Sequence, residues 1–117
     1  MALATVLDVT KDFNADSLAN IDLSGWDSAT VQLVSPTTTV NFLSSNDSGA
    51  IEGSTDGNAL TSSNYTAIQG TNLATGTAVT SLAASGLVIF KSFGRYLQLS
   101  GTAVTATKVL VYLSKIS

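Results

Sequence analysis

Short runs in which apolar and polar residues alternate recur along the chain, and they constrain its fold more than any other feature. Clear examples lie at residues 30–34 (TVQLV), 39–43 (TVNFL) and 96–99 (YLQL), and a last strand-like run lies at 108–113 (KVLVYL). Successive side chains of a β-strand point to opposite faces of a sheet, so this pattern predicts strands with one buried face. No comparable helical periodicity runs through the sequence, and an all-β protein with little helix is therefore expected.

Clusters of turn-forming residues separate the runs. Examples are SSNDSG at 44–49, DGN at 56–58, GTN at 70–72 and SGT at 100–102, in which Asn and Asp cap the backbone and Gly accepts positive φ. Short strands at this close spacing are typical of a β-sandwich or a β-barrel. A chain of 117 residues is long enough for one such domain with its own core.

Three local expectations follow from the same pattern. Pro36 and its neighbouring threonines interrupt two strand-like runs, which predicts a hairpin joining residues 30–34 to 39–43. A single helical turn is expected around residues 17–20, after Asp16. The continuous apolar run at 87–90 (LVIF) predicts a strand that is buried on both faces or passes through the core.

The first 25 residues differ in character from the rest of the chain. Leu3, Val6 and Leu7 lie in an extended stretch that leads into a series of aspartates. Residues 1–25 are interpreted either as the first strand of the sandwich or as an arm that adds a strand to a neighbouring subunit. Residues 26–117 are interpreted as the sandwich domain itself.

The residue types available exclude several kinds of catalysis. The chain has no histidine and no cysteine, so a Ser-His-Asp triad, a Cys-His pair or a histidine- and thiolate-based zinc site cannot be built. Glu52 is the single glutamate, and no aspartate pair stands out as the two carboxylates of a glycosidase. We therefore expect a protein that is not an enzyme and that uses no cofactor.

Charge is sparse, and this bears on the partners. Charged residues make up 11% of the chain and the net charge is −3, with five scattered basic residues. Binding to nucleic acid needs clustered Lys and Arg, so it is not expected, and no apolar run is long enough for a membrane span. The N-terminal sequence lacks the basic region of a signal peptide, which favours synthesis in the cytoplasm. A weakly charged, hydroxyl-rich surface suits a protein docked in an assembly.

Two binding chemistries remain as alternatives. Asp47, Glu52 and Asp56 offer oxygen ligands for Ca²⁺, but their spacing does not match an EF-hand loop, and turn capping explains them better. Flat aromatic rings stack on sugars, and Trp26 and Tyr65 are the candidate glycan contacts. Tyr96 and Tyr112 fall inside alternating strands, where packing is the usual role. Trp26 is expected to pack on the core.

Several segments in the same order resemble a β-domain of tailed-phage virion structural proteins. They are FLSSNDSG at 42–49, NLATGTAVT at 72–80, ASGL at 84–87 and RYLQL at 95–99. The resemblance spans about residues 26–115 and departs from the family in a longer turn after Gly49 and in Gln98, where a basic residue is common. It implies a jelly-roll-like antiparallel β-sandwich of about seven or eight short strands, without catalytic residues.

The resemblance also implies a function. A capsid decoration or cement protein is expected, located in the virion and bound to the major capsid protein or other virion proteins, with a homo-oligomer (a trimer in particular) as its assembled form. The expected interface comprises Leu3, Val6, Leu7 and the 49–64 loop with Ile51 and Glu52. The alternatives are a glycan-binding adhesin module of a head or tail fibre, which uses Trp26 or Tyr65, and a neck or tail adaptor protein.

Overall fold

The computed structural model of the protein describes residues 2–47 and 64–116, which form one helix and eleven strands. Three of the strands are only two residues long, so the number of strands exceeds the seven or eight expected. The elements are β1 (Ala2–Asp8), α1 (Thr10–Asp16), β2 (Leu18–Asp22), β3 (Ser28–Val34), β4 (Val40–Ser45), β5 (Thr66–Ala67), β6 (Gly70–Asn72), β7 (Ala78–Val79), β8 (Ser81–Leu82), β9 (Gly86–Phe90), β10 (Tyr96–Ser100) and β11 (Lys108–Ile116).

The strands form two antiparallel sheets. One has six strands in the order β1-β11-β3-β9-β6-β7, and the other follows the order β2-β10-β4-β5, with β8 also paired to β4. The strands β1, β2 and β3 belong alternately to the six-stranded and the five-stranded sheet, and β9, β10 and β11 alternate in the same way. The predicted all-β antiparallel sandwich is confirmed.

The core lies between the sheets and is built from the inward-facing residues of each strand. β3 and β11 contribute Val31 and Val111, which are fully buried and opposite each other in the register. Phe42 of β4 and Phe90 of β9 meet across the core, edge to face, with ring centroids 5.2 Å apart. Aromatic pairs favour this geometry, and these two rings link the sheets at their centre.

The predicted hairpin around Pro36 is wrong, because β3 and β4 belong to different sheets. Residues 35–39 cross between them and bond to other loops instead of folding back. The Ser35 N–H donates to Ser85 Oγ (2.8 Å), and the Thr37 N–H donates to the Thr105 carbonyl (2.8 Å). These bonds give two backbone N–H groups of the crossing partners outside any strand pair.

The helix lies earlier than predicted. Residues 10–16 form α1, whereas residues 18–22 form β2, paired along its whole length with β10. Asp8 precedes the helix and accepts a hydrogen bond from the Thr10 N–H (3.0 Å), and Ser17 ends it in the left-handed conformation (φ 55°). Phe13 is the buried residue of α1, and it holds the helix on the core.

The strand at 86–90 is buried on one face within this chain. Val88 and Phe90 are fully buried, whereas Leu87 is 39% exposed and Ile89 is half-buried. Of the two alternatives for this run, burial on both faces is not observed, because nothing in the described parts of the chain fully covers the outer side of β9, whereas Val88 and Phe90 do lie in the core. Two apolar residues of this strand therefore remain accessible to another molecule.

The first 25 residues take part in the same sandwich. β1 pairs with β11 of its own chain from Ala2↔Ile116 to Asp8↔Leu110. Beyond β1, Ala19, Ile21 and Leu23 are buried in the shared core. No helix within residues 2–47 or 64–116 combines the length and apolar character needed to cross a bilayer.

Candidate functional site

The six-stranded sheet turns an unusually apolar surface outward. Inner positions such as Val111 are buried, and the strand register places the residues between them on the opposite side. One row crosses all six strands on that side. It consists of Val6, Tyr112, Thr30, Ile89, Thr71 and Ala78.

The neighbouring row adds further apolar side chains. Leu110 is opposite Gln32, which is opposite Leu87, and the Leu73 N–H donates to the Leu87 carbonyl (2.9 Å). Together the two rows form what we call the outer apolar face, whose large members are Val6, Leu73, Leu87, Ile89, Leu110 and Tyr112.

Exposure of these side chains is high for large apolar groups. Val6 is 59% exposed, Leu73 51% and Tyr112 45%. Isolated apolar residues are ordinary on protein surfaces, but a contiguous group marks a place where another molecule packs. Two shallow depressions that share Leu73 flank Ile89 and Leu87, so the face has relief that a partner could fill.

One end of this face carries a pair of opposite charges. Lys108 Nζ lies 3.2 Å from Asp8 Oδ2, with both side chains about half exposed (54% and 49%). Hydrogen bonds from the Thr10 hydroxyl and N–H, followed by Lys108, lower the pKa of Asp8 to about 2. This carboxylate is therefore ionised at neutral pH, and the adjacent Lys108 balances its charge. The pair consequently exerts little electrostatic field on the apolar part of the face.

The outer face of the five-stranded sheet has the opposite chemistry. Its residues between the core positions are mostly polar, and we call it the outer polar face. Its polar members are Asn20, Asp22, Asn41, Ser45, Gln98 and Ser100. Arg95 Nη2 lies 3.7 Å from Asp22 Oδ2 at one end. Partial burial raises the pKa of Asp22, but hydrogen bonds from Ser24 and the charge of Arg95 outweigh it and lower that pKa overall.

The predicted interface residues lie partly on the outer apolar face. Val6 is opposite Tyr112 on that face, whereas Leu3 and Leu7 project from the other side of β1, where they are 41% and 36% exposed. The structure therefore places apolar side chains on both sides of this edge strand. Ile51 and Glu52 lie outside the described residues.

The predicted glycan contacts lie in two separate connecting segments, outside the strands. Trp26 follows β2 beside the end of β11, is half-buried and packs against the core, with Lys115 Nζ 5.5 Å from its ring centroid. Tyr65 precedes β5 and is also half-buried. Burial, followed by the charges of Tyr96 and Asp47, raises the pKa of Tyr65. Neither ring lies fully open in the manner of a stacking platform.

Oxygen ligands for a cation are likewise dispersed. Asp47 accepts a hydrogen bond from the Asn64 amide (2.6 Å), and its N–H donates to Ser45 Oγ (2.9 Å). Glu52 and Asp56, the other residues of the Ca²⁺ alternative, lie outside the described segments. Among residues 2–47 and 64–116, no three Asp or Glu side chains come together in a way that could hold a metal ion.

Tyr112, Leu87 and Leu73 were not among the predicted site residues. A signal was present, because 108–113 (KVLVYL) and 87–90 (LVIF) are apolar at consecutive positions and not only at every second one. A strand with one buried face does not require apolar residues at the alternate positions, which point to its other face. Such runs indicate a second covered face, and no part of residues 2–47 and 64–116 fully covers it here.

Comparison with known proteins relates the fold to one solved structure. The crystal structure of the SPBc2 prophage-derived protein YomS is similar to this chain, with a TM-score of 0.62 and 16% sequence identity over 100% of this chain and 96% of that chain. No family model and no curated protein matches the sequence. The likeness to YomS is therefore one of fold.

Proposed function

We propose that this chain is a structural protein of a phage virion, and most specifically a capsid decoration or cement protein. It would stabilise the shell through protein–protein contacts and without catalysis. The observation that carries the proposal is the outer apolar face, because four of its six large apolar side chains are exposed and the other two are half-buried, which suits a protein that works in a packed assembly.

Two further observations support the phage setting. The fold is similar along the whole chain to a prophage-derived protein, and the alternation of successive strands between the sheets supports the jelly-roll-like arrangement that the sequence resemblance implies. The sparse charge of the chain, 11% of residues, also suits a surface that becomes covered.

Leu87 and Tyr112 provide the decisive variants. In particles prepared without the protein, added wild-type protein should co-sediment with the shells at hundreds of copies per particle. The double variant Leu87→Gln/Tyr112→Gln should lose at least about tenfold in affinity, since each truncated apolar contact contributes on the order of 1 kcal/mol or more at a packed interface. Both positions are exposed, so the fold should persist.

Asn41→Gln on the outer polar face serves as the matched control and should bind as the wild type does. Equal loss in both variants, or full binding by the Leu87/Tyr112 variant, would contradict the proposal. A dozen copies or fewer per particle would instead support a neck or tail adaptor. Quenching of Trp26 fluorescence by a host polysaccharide, without shell binding, would support the adhesin alternative.

Point variants are preferable to removal of the N-terminal segment. Deleting residues 1–20 would take Phe13 and Ala19 out of the core and β1 off the sheet. Loss of shell binding in such a truncation would report unfolding and not a lost contact.

A further inference from the structure

Among residues 2–47 and 64–116, β1 has a strand partner on one side only, and its free edge is the least protected of the four sheet edges. β7 and β5, at two other edges, are each two residues long, and α1 packs beside β2 at the remaining one. Proteins guard open edges with short strands, lysines, prolines or covering elements. β1 is seven residues long, its sequence is ALATVLD, and it contains neither lysine nor proline.

The pairing with β11 indicates which backbone groups point to the open side. The Val9 N–H donates to the Val109 carbonyl (3.0 Å), one position beyond the Asp8↔Leu110 pair. Antiparallel ladders alternate, so the main-chain groups of Leu3, Thr5 and Leu7 face β11, whereas those of Ala4 and Val6 face away from it. The open edge therefore offers the N–H and C=O groups of the even-numbered residues.

We propose that β1 pairs with β1 of a second copy of this chain, antiparallel about a twofold axis at Thr5. In that register Ala4 exchanges both main-chain hydrogen bonds with Val6 of the second copy, and Val6 does so with Ala4 of the second copy. These are residues whose N–H and C=O groups face the open edge. Leu3 then lies opposite Leu7 of the second copy, and Thr5 lies opposite its own counterpart. All seven residues of the strand are paired.

The side chains suit this register. Leu3 and Leu7, which are 41% and 36% exposed in the single chain, cover each other across the new strand pair. Asp8 lies opposite Ala2 of the second copy, so the two Asp8 carboxylates are separated by six residues, about 20 Å along the strand, which exceeds the screening length of about 8 Å at physiological salt. Registers shifted by two residues would place Leu3 or Leu7 opposite Thr5 and leave strand ends unpaired.

The dimer would also enlarge the outer apolar face. A twofold axis perpendicular to the joined sheet keeps both outer faces on the same side, so Val6 and Tyr112 of one copy lie near those of the other. The inference deepens the proposed function and rests on it for the role of self-association, because two joined faces would bind a shell with higher avidity than one.

Strand pairing alone covers less than the roughly 1,200–2,000 Å² that stable complexes bury, so we expect a dissociation constant of about 1–100 µM for the free protein. Sedimentation velocity of the purified full chain, from about 1 µM to 1 mM, should show the mass rise from 12.0 kDa to twice that value. A single species at 12.0 kDa throughout, or a limiting mass of three times that value, as the trimer expectation has it, would overturn the proposal.

Proline scanning distinguishes the open edge from the paired edge. Ala4→Pro removes an N–H that faces the open side, so the fold should persist while the mass stays at 12.0 kDa at all concentrations. Thr5→Pro removes an N–H that faces β11 and should lower the denaturation midpoint. Val6→Lys, an edge lysine with no backbone effect, should abolish the dimer in the same way as Ala4→Pro. Persistence of the dimer in a folded Ala4→Pro or Val6→Lys protein would overturn the proposal.

Cysteine substitution tests the register directly, since the chain has no cysteine of its own. Thr5→Cys places two thiols opposite each other at a non-hydrogen-bonded pair, where a Cα separation of about 4.5 Å permits a disulfide. Mild oxidation should convert it to a covalent dimer, whereas Ala4→Cys, two positions out of register with its own counterpart, should remain mostly monomeric. Preferential cross-linking of Ala4→Cys would overturn the register.

These measurements use free protein and no shells. Failure of shell binding with an intact dimer would therefore count against the proposed function alone. Normal shell binding by a strictly monomeric wild-type protein would count against β1 pairing alone.

Discussion

The two sheets are alike on their inner sides and different on their outer sides. Inward, both present closely packed apolar residues, with Phe42 from one and Phe90 from the other in contact. Outward, the five-stranded sheet carries amides, hydroxyls and a carboxylate, whereas the six-stranded sheet carries Val6, Leu87 and Tyr112. A sandwich needs only its inner faces to fold, so the packing of residues 2–47 and 64–116 does not account for the apolar outer face.

The similarity of the inner faces can be tested with the two phenylalanines. Phe42→Ala and Phe90→Ala should each lower the free energy of unfolding by about 3–5 kcal/mol, because each leaves a cavity in the same buried contact. Urea denaturation followed by Trp26 fluorescence would measure both. A cost below about 1 kcal/mol for either variant would show that the sheets do not share one core. Leu87→Ala, on the outer side of the same strand as Phe90, should change stability by less than about 1 kcal/mol.

The difference between the outer faces can be tested with two glutamines on central strands. Gln98 of β10 is 8% exposed although it lies on the outer polar face, whereas Gln32 of β3 is exposed on the outer apolar face. Gln98→Ala should therefore destabilise the protein by about 1–3 kcal/mol and Gln32→Ala by less than about 0.5 kcal/mol. Equal losses of stability in thermal or urea unfolding would show that the difference in burial between the two glutamines has no energetic consequence.

The smallest expected effect concerns the charges at the ends of the two faces. The pKa of Asp8 is lowered to about 2 from an ordinary 3.8, so its stabilising contribution is fully present above about pH 4 and is lost as the pH falls toward 2. The wild-type denaturation midpoint should fall over that interval, and Asp8→Asn should flatten the fall. Asp22→Asn on the other sheet should flatten the fall in the same direction, because the pKa of Asp22 is also lowered in the folded protein. An unchanged pH profile in Asp8→Asn would mean that the Thr10 and Lys108 contacts do not stabilise the fold.

The positions of the strands were largely predictable from the sequence, whereas their partners were not. Alternation at 30–34 and 96–99 and the apolar run at 108–113 predicted strands that the structure contains as β3, β10 and β11. Alternation states that one face is buried but not against which strand, so the assignment of residues 30–34 and 39–43 to one hairpin was wrong. The bonds that decide the crossing, from Ser35 and Thr37 to distant loops, involve partners about 50 and 68 residues away.

The candidate site was predictable only in part, for a related reason. Val6 was predicted as an interface residue from its place in an apolar N-terminal stretch, and the structure adds that it is opposite Tyr112, 106 positions later. Only the register brings Val6, Tyr112 and Ile89 into one row. A face assembled from five or six distant segments leaves no local motif in the sequence.

The place of β11 in the sheet has a consequence for how the chain folds during synthesis. β11 lies between β1 and β3, so two of the longest strand pairings in the molecule await a segment made after both of their partners. Until residues 108–116 leave the ribosome, β1 has no partner strand. The strand β3, which carries Val31, lacks a neighbour at the edge that β11 later occupies. Such long loop closures make folding slow, on the order of milliseconds to seconds, and they leave the apolar strand β1 accessible to other nascent chains for that time.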